Sequence, residues 1–213
     1  MLKFDHRASL GAIGIGALII FIAMILVAGI VASIIIQTMN NLQNRAMNVG
    51  RETIRDVSAG IEVRQVSGYV INSKIDTLAI FISPIVASED IDLSHTFVSL
   101  SDGNKKIILS YNNNTFSNSI TNGIFRSLDS SNLTSSTYGI VVIRDLDTSC
   151  TATSPVINEN DIVAIIVNTT KCFSGISPRT EISGNVVPEY GISGVISFVT
   201  PPTLIDKIVD LQP

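Results

Sequence analysis

Residues 12–36 contain no charged side chain and a single hydroxyl, Ser33. A helix made from this run is apolar on every face. Such a helix finds no place on the surface of a soluble domain and needs lipid or copies of itself around it. The run is long enough to cross a bilayer core, which takes about 20 apolar residues. It exceeds a secretory h-region, which is typically about 7–15 residues. A short charged leader, residues 1–11, precedes it, and a long polar region follows. With 213 residues, 46% hydrophobic, 6% aromatic and no Trp, the chain has room for one ordinary globular domain after the run.

Small side chains give the run a second property. Ala28 and Ala32, and beside them Gly29 and Ser33, recur four apart and make adjoining small faces, along which helix backbones approach closely. Past the run, residues 37–59 contain no Pro, and Met39, Leu42, Ala46, Val49, Ile54 and Val57 recur at three- and four-residue steps. The spacing predicts one helix from about Ile15 to Ala59, roughly 65 Å long at 1.5 Å per residue. That is about twice what a bilayer needs.

From Ile61 the period changes from helical to alternating. Ile61, Val63, Tyr69 and Ile71 read as a strand, as do Leu78, Ile80 and Ile82, and then residues 105–111, 138–144, 161–168, 180–187 and 195–200. Asp102-Gly103-Asn104 supplies a tight turn. No helical pattern separates the strands, which argues against a parallel α/β sheet. The expected fold class is therefore α+β: a long N-terminal hydrophobic helix, then an antiparallel, immunoglobulin-like β-sandwich. The expected boundaries are a leader at 1–11, the helix at 12–60 and an outer β-domain at 61–213.

Charge and chemistry narrow the function. The first 60 residues are slightly positive; the remainder is acidic enough to set the whole chain at −4. No basic face is available to replace counterions on phosphates, so nucleic acid is excluded as a partner. No catalytic constellation is visible, because His6 and His95 each stand alone. Gly11, Gly14 and Gly16 lack the spacing and the preceding strand of a dinucleotide loop. Carboxylates group at Glu89, Asp90 and Asp92, and again at Asp145 and Asp147; such groups either hold Ca²⁺ through oxygen or form a solvated acidic loop.

The compartment follows from weaker signals that agree. Sequons at Asn113, Asn132 and Asn168 and the only cysteines, Cys150 and Cys172, all lie beyond the apolar run. Together they place the polar domain outside the cell. The cysteines are two free thiols or one bridge; outside the cell the bridge is the expected state, stabilising by roughly 3 kcal/mol in the chain-entropy account.

The segment Gly11-Ala12-Ile13-Gly14-Ile15-Gly16, followed by Ala17-Leu18-Ile19-Ile20-Phe21-Ile22-Ala23-Met24, resembles archaellins, the type IV pilin-like filament subunits of archaeal flagella. Val57-Ser58-Ala59-Gly60-Ile61-Glu62-Val63 is similar to the family's passage from helix to first strand. Ser83-Pro84, Ile91-Asp92-Leu93-Ser94 and Ser101-Asp102-Gly103 are similar to its next landmarks. Val187-Pro188-Glu189-Tyr190-Gly191, with Gly194-Val195-Ile196, Phe198, Thr200-Pro201 and Leu211-Gln212, looks like its C-terminal signature. Residues 111–161 resemble it least.

The resemblance implies a preprotein whose leader is removed between Gly11 and Ala12 by a prepilin-type peptidase. Here Ala8-Ser9-Leu10 separates Arg7 from Gly11, where the family usually has Lys or Arg close to the cut. Gly16 stands where type IV pilins usually carry Glu, which favours archaellin over pilin. The resemblance also implies a membrane-held precursor and an extracellular filament built from copies of the chain, with or without paralogous archaellins. An archaellum motor and assembly ATPase complex is the implied partner. Some archaellins hold metal ions in their outer domains, but no motif here assigns ligands. The other reading is an adhesive pilin or a single-pass surface protein that binds a ligand.

Overall fold

The computed structural model describes residues 6–85, 88, 90–129 and 131–213, with side chains from Gly14 onward. The start of the expected leader and Glu89 lie outside the described residues. The chain divides into two units, residues 1–52 and 53–213.

The first unit is most of one helix, α1, His6–Ser58. It begins earlier than the apolar spacing predicts and passes through Gly11 and Ala12 without a break. Residues 14–58 have a most apolar stretch with mean hydropathy of 3.2, none of it buried within the subunit. Phe21, Leu26, Ile30 and Ile34 are each more than half exposed. Thr38 returns its hydroxyl to the Ile34 carbonyl at 2.8 Å, so the first polar residues beyond the run do not interrupt the helix.

The second unit holds the strands β1 (Ile61–Ile71), β2 (Lys74–Pro84), β3 (Ile91–Asp92), β4 (Phe97–Ser101), β5 (Lys106–Ser117), β6 (Thr137–Arg144), β7 (Val156–Ile157), β8 (Ile162–Asn168), β9 (Glu181–Val187), β10 (Gly194–Val199) and β11 (Ile208–Gln212). A five-residue helix, α2 (Thr169–Phe173), follows β8. Among the described residues nine strands form one sheet in the order β10-β9-β4-β5-β6-β8-β2-β1-β11, and β3 pairs with β7 apart from it. Every pairing is antiparallel except β5 with β6. This order differs from the two separate antiparallel sheets of an immunoglobulin-like sandwich. The joining piece is β5, whose first half pairs with β4 and whose second half runs parallel to β6.

The alternation read from the sequence decides which residues face inward. Val98, Leu100, Ile107, Leu109, Ile182, Val186 and Ile196 meet Ile61, Val66, Leu78, Ile80, Ile140 and Ile165 in one buried cluster. β8 reads Ile-Val-Ala-Ile-Ile-Val with almost no alternation because it is covered twice. Ala164 and Ile166 on its other face, with Ala79, Val141 and Leu133, are packed by Ile124, Phe125 and Leu128. Tyr138, fully buried, donates its hydroxyl to the carbonyls of Leu93 and Thr96 at 2.8 and 3.0 Å, tying the turn after β3 into the core.

At the outer strands the sheet meets a side chain instead of another strand. The Gln212 carboxamide accepts from Ser197 N at 2.9 Å and donates to Val195 O at 3.2 Å. It takes one amide and one carbonyl of β10, as a neighbouring backbone would.

Candidate functional site

The helix face comes first, because it dominates the surface of the first unit. Ala28 and Ala32 line a shallow apolar groove with Ala23, Val27 and Val31, bounded by Ile20, Met24 and Ile35. A Cβ added at Gly29 would meet nothing within 4 Å. Ser33 is exposed beside them. The four residues expected to form the small faces are thus accessible.

The passage from helix to β-domain is the second feature, and it explains why the sequence reads as it does at both places. Ile192 donates to the Ala59 carbonyl at 2.9 Å, Ile61 donates to the Ile192 carbonyl at 3.0 Å, and Ile85 donates to the Gly60 carbonyl at 2.9 Å. Gly60 and Ile192 form a parallel bridge. Gly191 turns the chain there at φ +88°, and its Cα lies so close to Ala59 that a Cβ would stand 2.3 Å from that carbonyl oxygen. Arg55, in the last turn of α1, lays its guanidinium over the Tyr190 ring at 4.1 Å from the centroid. The Arg55 Nε is buried with no hydrogen-bond partner among the described residues, so the ring face supplies its stabilisation. The Tyr190 hydroxyl donates to the Asp90 carbonyl.

The third feature is a carboxylate cluster. Asp145, Asp147 and Asp161 bring an oxygen each to within 4.8 Å of one another. Asp161 is fully buried, accepts from Asn158 N at 3.0 Å through Oδ2, and leaves Oδ1 with no hydrogen-bond partner among the described residues. Asp145 accepts from Cys150 N at 3.1 Å through Oδ2, and its buried Oδ1 is likewise unpartnered. Burial, with the charges of Asp145 and Asp147 nearby, pushes the Asp161 carboxyl up from its ordinary value. Hydrogen bonds from Ser149 and Asn158 pull Asp147 down to about 2. An unpartnered buried carboxylate oxygen is costly unless a cation or proton meets it. Hard oxygen donors at this spacing suit Ca²⁺. The residues fit the metal that the resemblance implies.

A family model for archaeal-type flagellin matches residues 11–198. The chain belongs to the archaeal-type flagellin family. It is similar to Flagellin B2 of Methanocaldococcus jannaschii, 42% identical over 206 residues covering 95% of each chain. Flagellin B3 of the same organism is 44% identical over 209 residues, again 95% of each. Among solved structures, archaeal flagellin FlaB1 from M. jannaschii superposes with a TM-score of 0.67 at 33% identity, covering 72% of this chain and 97% of that one. The archaeal flagellum of Methanospirillum hungatei strain JF1 shares the fold, with a TM-score of 0.65 at 12% identity over 94% and 99% of the two chains.

In this flagellin some expected site residues move to other roles. The bridge between Cys150 and Cys172 is not formed: both thiols are free and buried. Cys150 bridges to Pro155 beside the carboxylate cluster, whereas Cys172 belongs to α2, its sulfur 3.8 Å from the Ser135 carbonyl. Burial raises both thiols, Cys150 to about 12 with help from Asp145 and Asp161, and Cys172 to about 11.

Asn168 is 6% exposed and accepts from Lys171 N at 3.0 Å, which makes it the N-cap of α2 instead of an accessible sequon. Asn113 and Asn132 are exposed. Asn113 sits where residues 112–115 leave the ladder between the pairs Tyr111–Tyr138 and Phe116–Ile140.

Of the carboxylates grouped near β3, Glu89 lies outside the described residues and Asp92 is engaged locally. Asp92 caps the following turn through Ser94 N at 2.8 Å and lies 3.2 Å from His95 Nδ1. Burial pushes Asp92 up, but those bonds outweigh it and leave its carboxyl below the ordinary value. Sequence reading paired Asp145 with Asp147 and missed Asp161. The available signal was a charged residue opening an otherwise unbroken apolar strand.

Proposed function

We propose that this flagellin is a structural subunit that polymerises into the archaellum filament through α1. The observation that carries the reading is the helix itself: apolar on every face and without a covering layer in the subunit. Lipid covers it in the precursor, and the same helix of neighbouring copies, or of paralogous flagellins, covers it in the filament. Burial is similar in the two states, so transfer between them costs little beyond what an assembly ATPase complex supplies. Ala28, Gly29, Ala32 and Ser33 let the backbones pack closely. The leader, residues 1–11, is cut after Gly11 by a prepilin-type peptidase, because its charges have no partners inside a dry bundle. The role is mechanical, with the β-domain facing the medium.

Electron microscopy and mass spectrometry of purified surface filaments test this reading. The expected result is filaments of this chain beginning at Ala12. Recovery of the chain only as a detergent-soluble monomer, or filaments beginning at Met1, would overturn it.

A second function rests on the carboxylate cluster. Asp145, Asp147 and Asp161 would hold a divalent cation such as Ca²⁺, which neutralises the buried Asp161 and ties the loop after β6 to the start of β8.

A further inference from the structure

Arg64 of β1 and Arg144 at the end of β6 flank a cleft of about 440 Å³ floored by Phe81, Ile143 and Ile162. Each guanidinium is fixed from behind through its Nε. Arg64 donates to Ser83 Oγ at 2.8 Å, and Arg144 donates to the Asn160 carbonyl at 2.5 Å. Glu62, two residues before Arg64, pairs with the same Nε at 3.2 Å. Both arginines remain exposed. Two held cations over an apolar floor, with one acid beside them, match a ligand that offers an apolar tip next to an acid and then a base.

The β-domain carries that sequence of groups on a projecting loop. In Ile205-Asp206-Lys207, Ile205 is 87% exposed, and both charged neighbours face solvent. The loop is anchored on both sides, by buried Leu204 before it and by the Lys207 carbonyl, which accepts from Val70 N at 2.9 Å. Val70 and Arg64 lie on the same strand, β1. The interval between them is about 20 Å at roughly 3.3 Å per residue. Knob and cleft therefore belong to opposite ends of one strand and cannot meet within a subunit. A surface whose complement lies elsewhere on the same molecule makes heterologous contacts, which extend as open rows or helices.

We propose that the Arg64/Arg144 cleft seats the Ile205-Asp206 knob of a neighbouring copy. Ile205 covers Phe81 and Ile162, Asp206 sits between the arginines, and Lys207 meets Glu62. The proposal rests on the filament reading and names the contact that joins β-domains within it.

The test uses the full chain expressed in a flagellin-null archaeal strain, with wild type alongside. Asp206→Arg should reduce filaments per cell at least tenfold while leaving the amount of leader-processed subunit in the membrane unchanged. Adding Arg64→Glu should restore at least half. In filaments of an Arg64→Cys, Asp206→Cys chain, a short bis-maleimide should give a ladder of multimers that neither single variant gives; Cys150 and Cys172 are buried, and the single variants control for them. Restoration by the second reversal, or a ladder confined to the pair, supports the contact. Asp206→Arg filaments at wild-type number and length overturn it, as does loss without restoration together with no ladder. Absence of filaments from the wild-type chain would instead bring down the filament reading itself.

Discussion

Replacing Gly191 with Ala tests whether the seam between helix exit and β-domain holds the β-domain together. The added methyl would stand 2.3 Å from the Ala59 oxygen, 2.5 Å from its carbon and 3.0 Å from Gly60 N. Carbon–oxygen contacts ordinarily lie at about 3.3–3.6 Å, so the two backbones must part by roughly 1 Å. Parting them breaks the bonds from Ile192 to Ala59 and from Ile61 to Ile192, each a net of about 1 kcal/mol. The left-handed backbone at φ +88° adds about 1–2 kcal/mol for a residue with a Cβ. The sum is about 3–4 kcal/mol, or a melting temperature lower by roughly 6–16 °C for a domain of this size. Gly103 is the control. It has φ +86° and nothing within 4 Å of an added Cβ, so Gly103→Ala meets only the conformational part. Thermal melts of the full chains in detergent, followed by the β-sheet circular dichroism signal, read the difference. Equal melting temperatures for the two variants would refute the argument.

Calcium at 100 times its dissociation constant should stabilise the wild type by about 2.7 kcal/mol, a rise of roughly 5–11 °C, whereas Asp161→Asn should show no rise in a calcium titration of the melt. The pH dependence of that difference has opposite signs with and without the metal. In metal-free buffer the raised Asp161 carboxyl favours the fold when protonated, so wild type gains on Asp161→Asn as pH falls from neutral toward about 4 and loses it as pH rises through the folded value. With calcium present, protons compete for the same oxygens and the wild-type advantage shrinks over that range. Gly29→Leu with Ala32→Leu should leave membrane insertion intact and abolish filaments, because bulk on an open face holds backbones apart; normal filaments in micrographs would exclude that face from assembly. Peptide mapping of mature subunits should place any glycan at Asn113 or Asn132 and none at the buried Asn168 cap.

The helix was legible because its evidence is local: an uncharged run, no Pro, and continued three- and four-residue steps. The alternating strands were legible for the same reason, since Ile80, Ile82, Val163 and Ile165 go where a period of two sends them. What escaped reading depends on where the chain goes between elements. The parallel pairing of β5 with β6 requires the excursion through residues 118–136, and that excursion also covers the second face of β8. The carboxylate cluster joins residues from two segments, and Asp161 looks like a strand flank in the sequence although it is buried and accepts from Asn158 N. The sequon at Asn168, which closes an apolar strand, and the cysteines turn on one point. A residue type states what a side chain can do, whereas burial decides whether anything can reach it. Gly60 and Gly191 are the two sides of one close backbone contact, which their separation in the sequence does not announce.

The Gln212 carboxamide on β10 acquires its meaning in a crowd. A filament holds its β-domains side by side at a local concentration no solution reaches, and parallel filaments bring further copies alongside. An open strand edge under those conditions is a template that any neighbour's strand can extend. Gln212 occupies an amide and a carbonyl of that edge from within the same molecule. Intermolecular pairing must first displace a partner that is always present. The terminal strand thus closes part of the β10 edge from within the subunit.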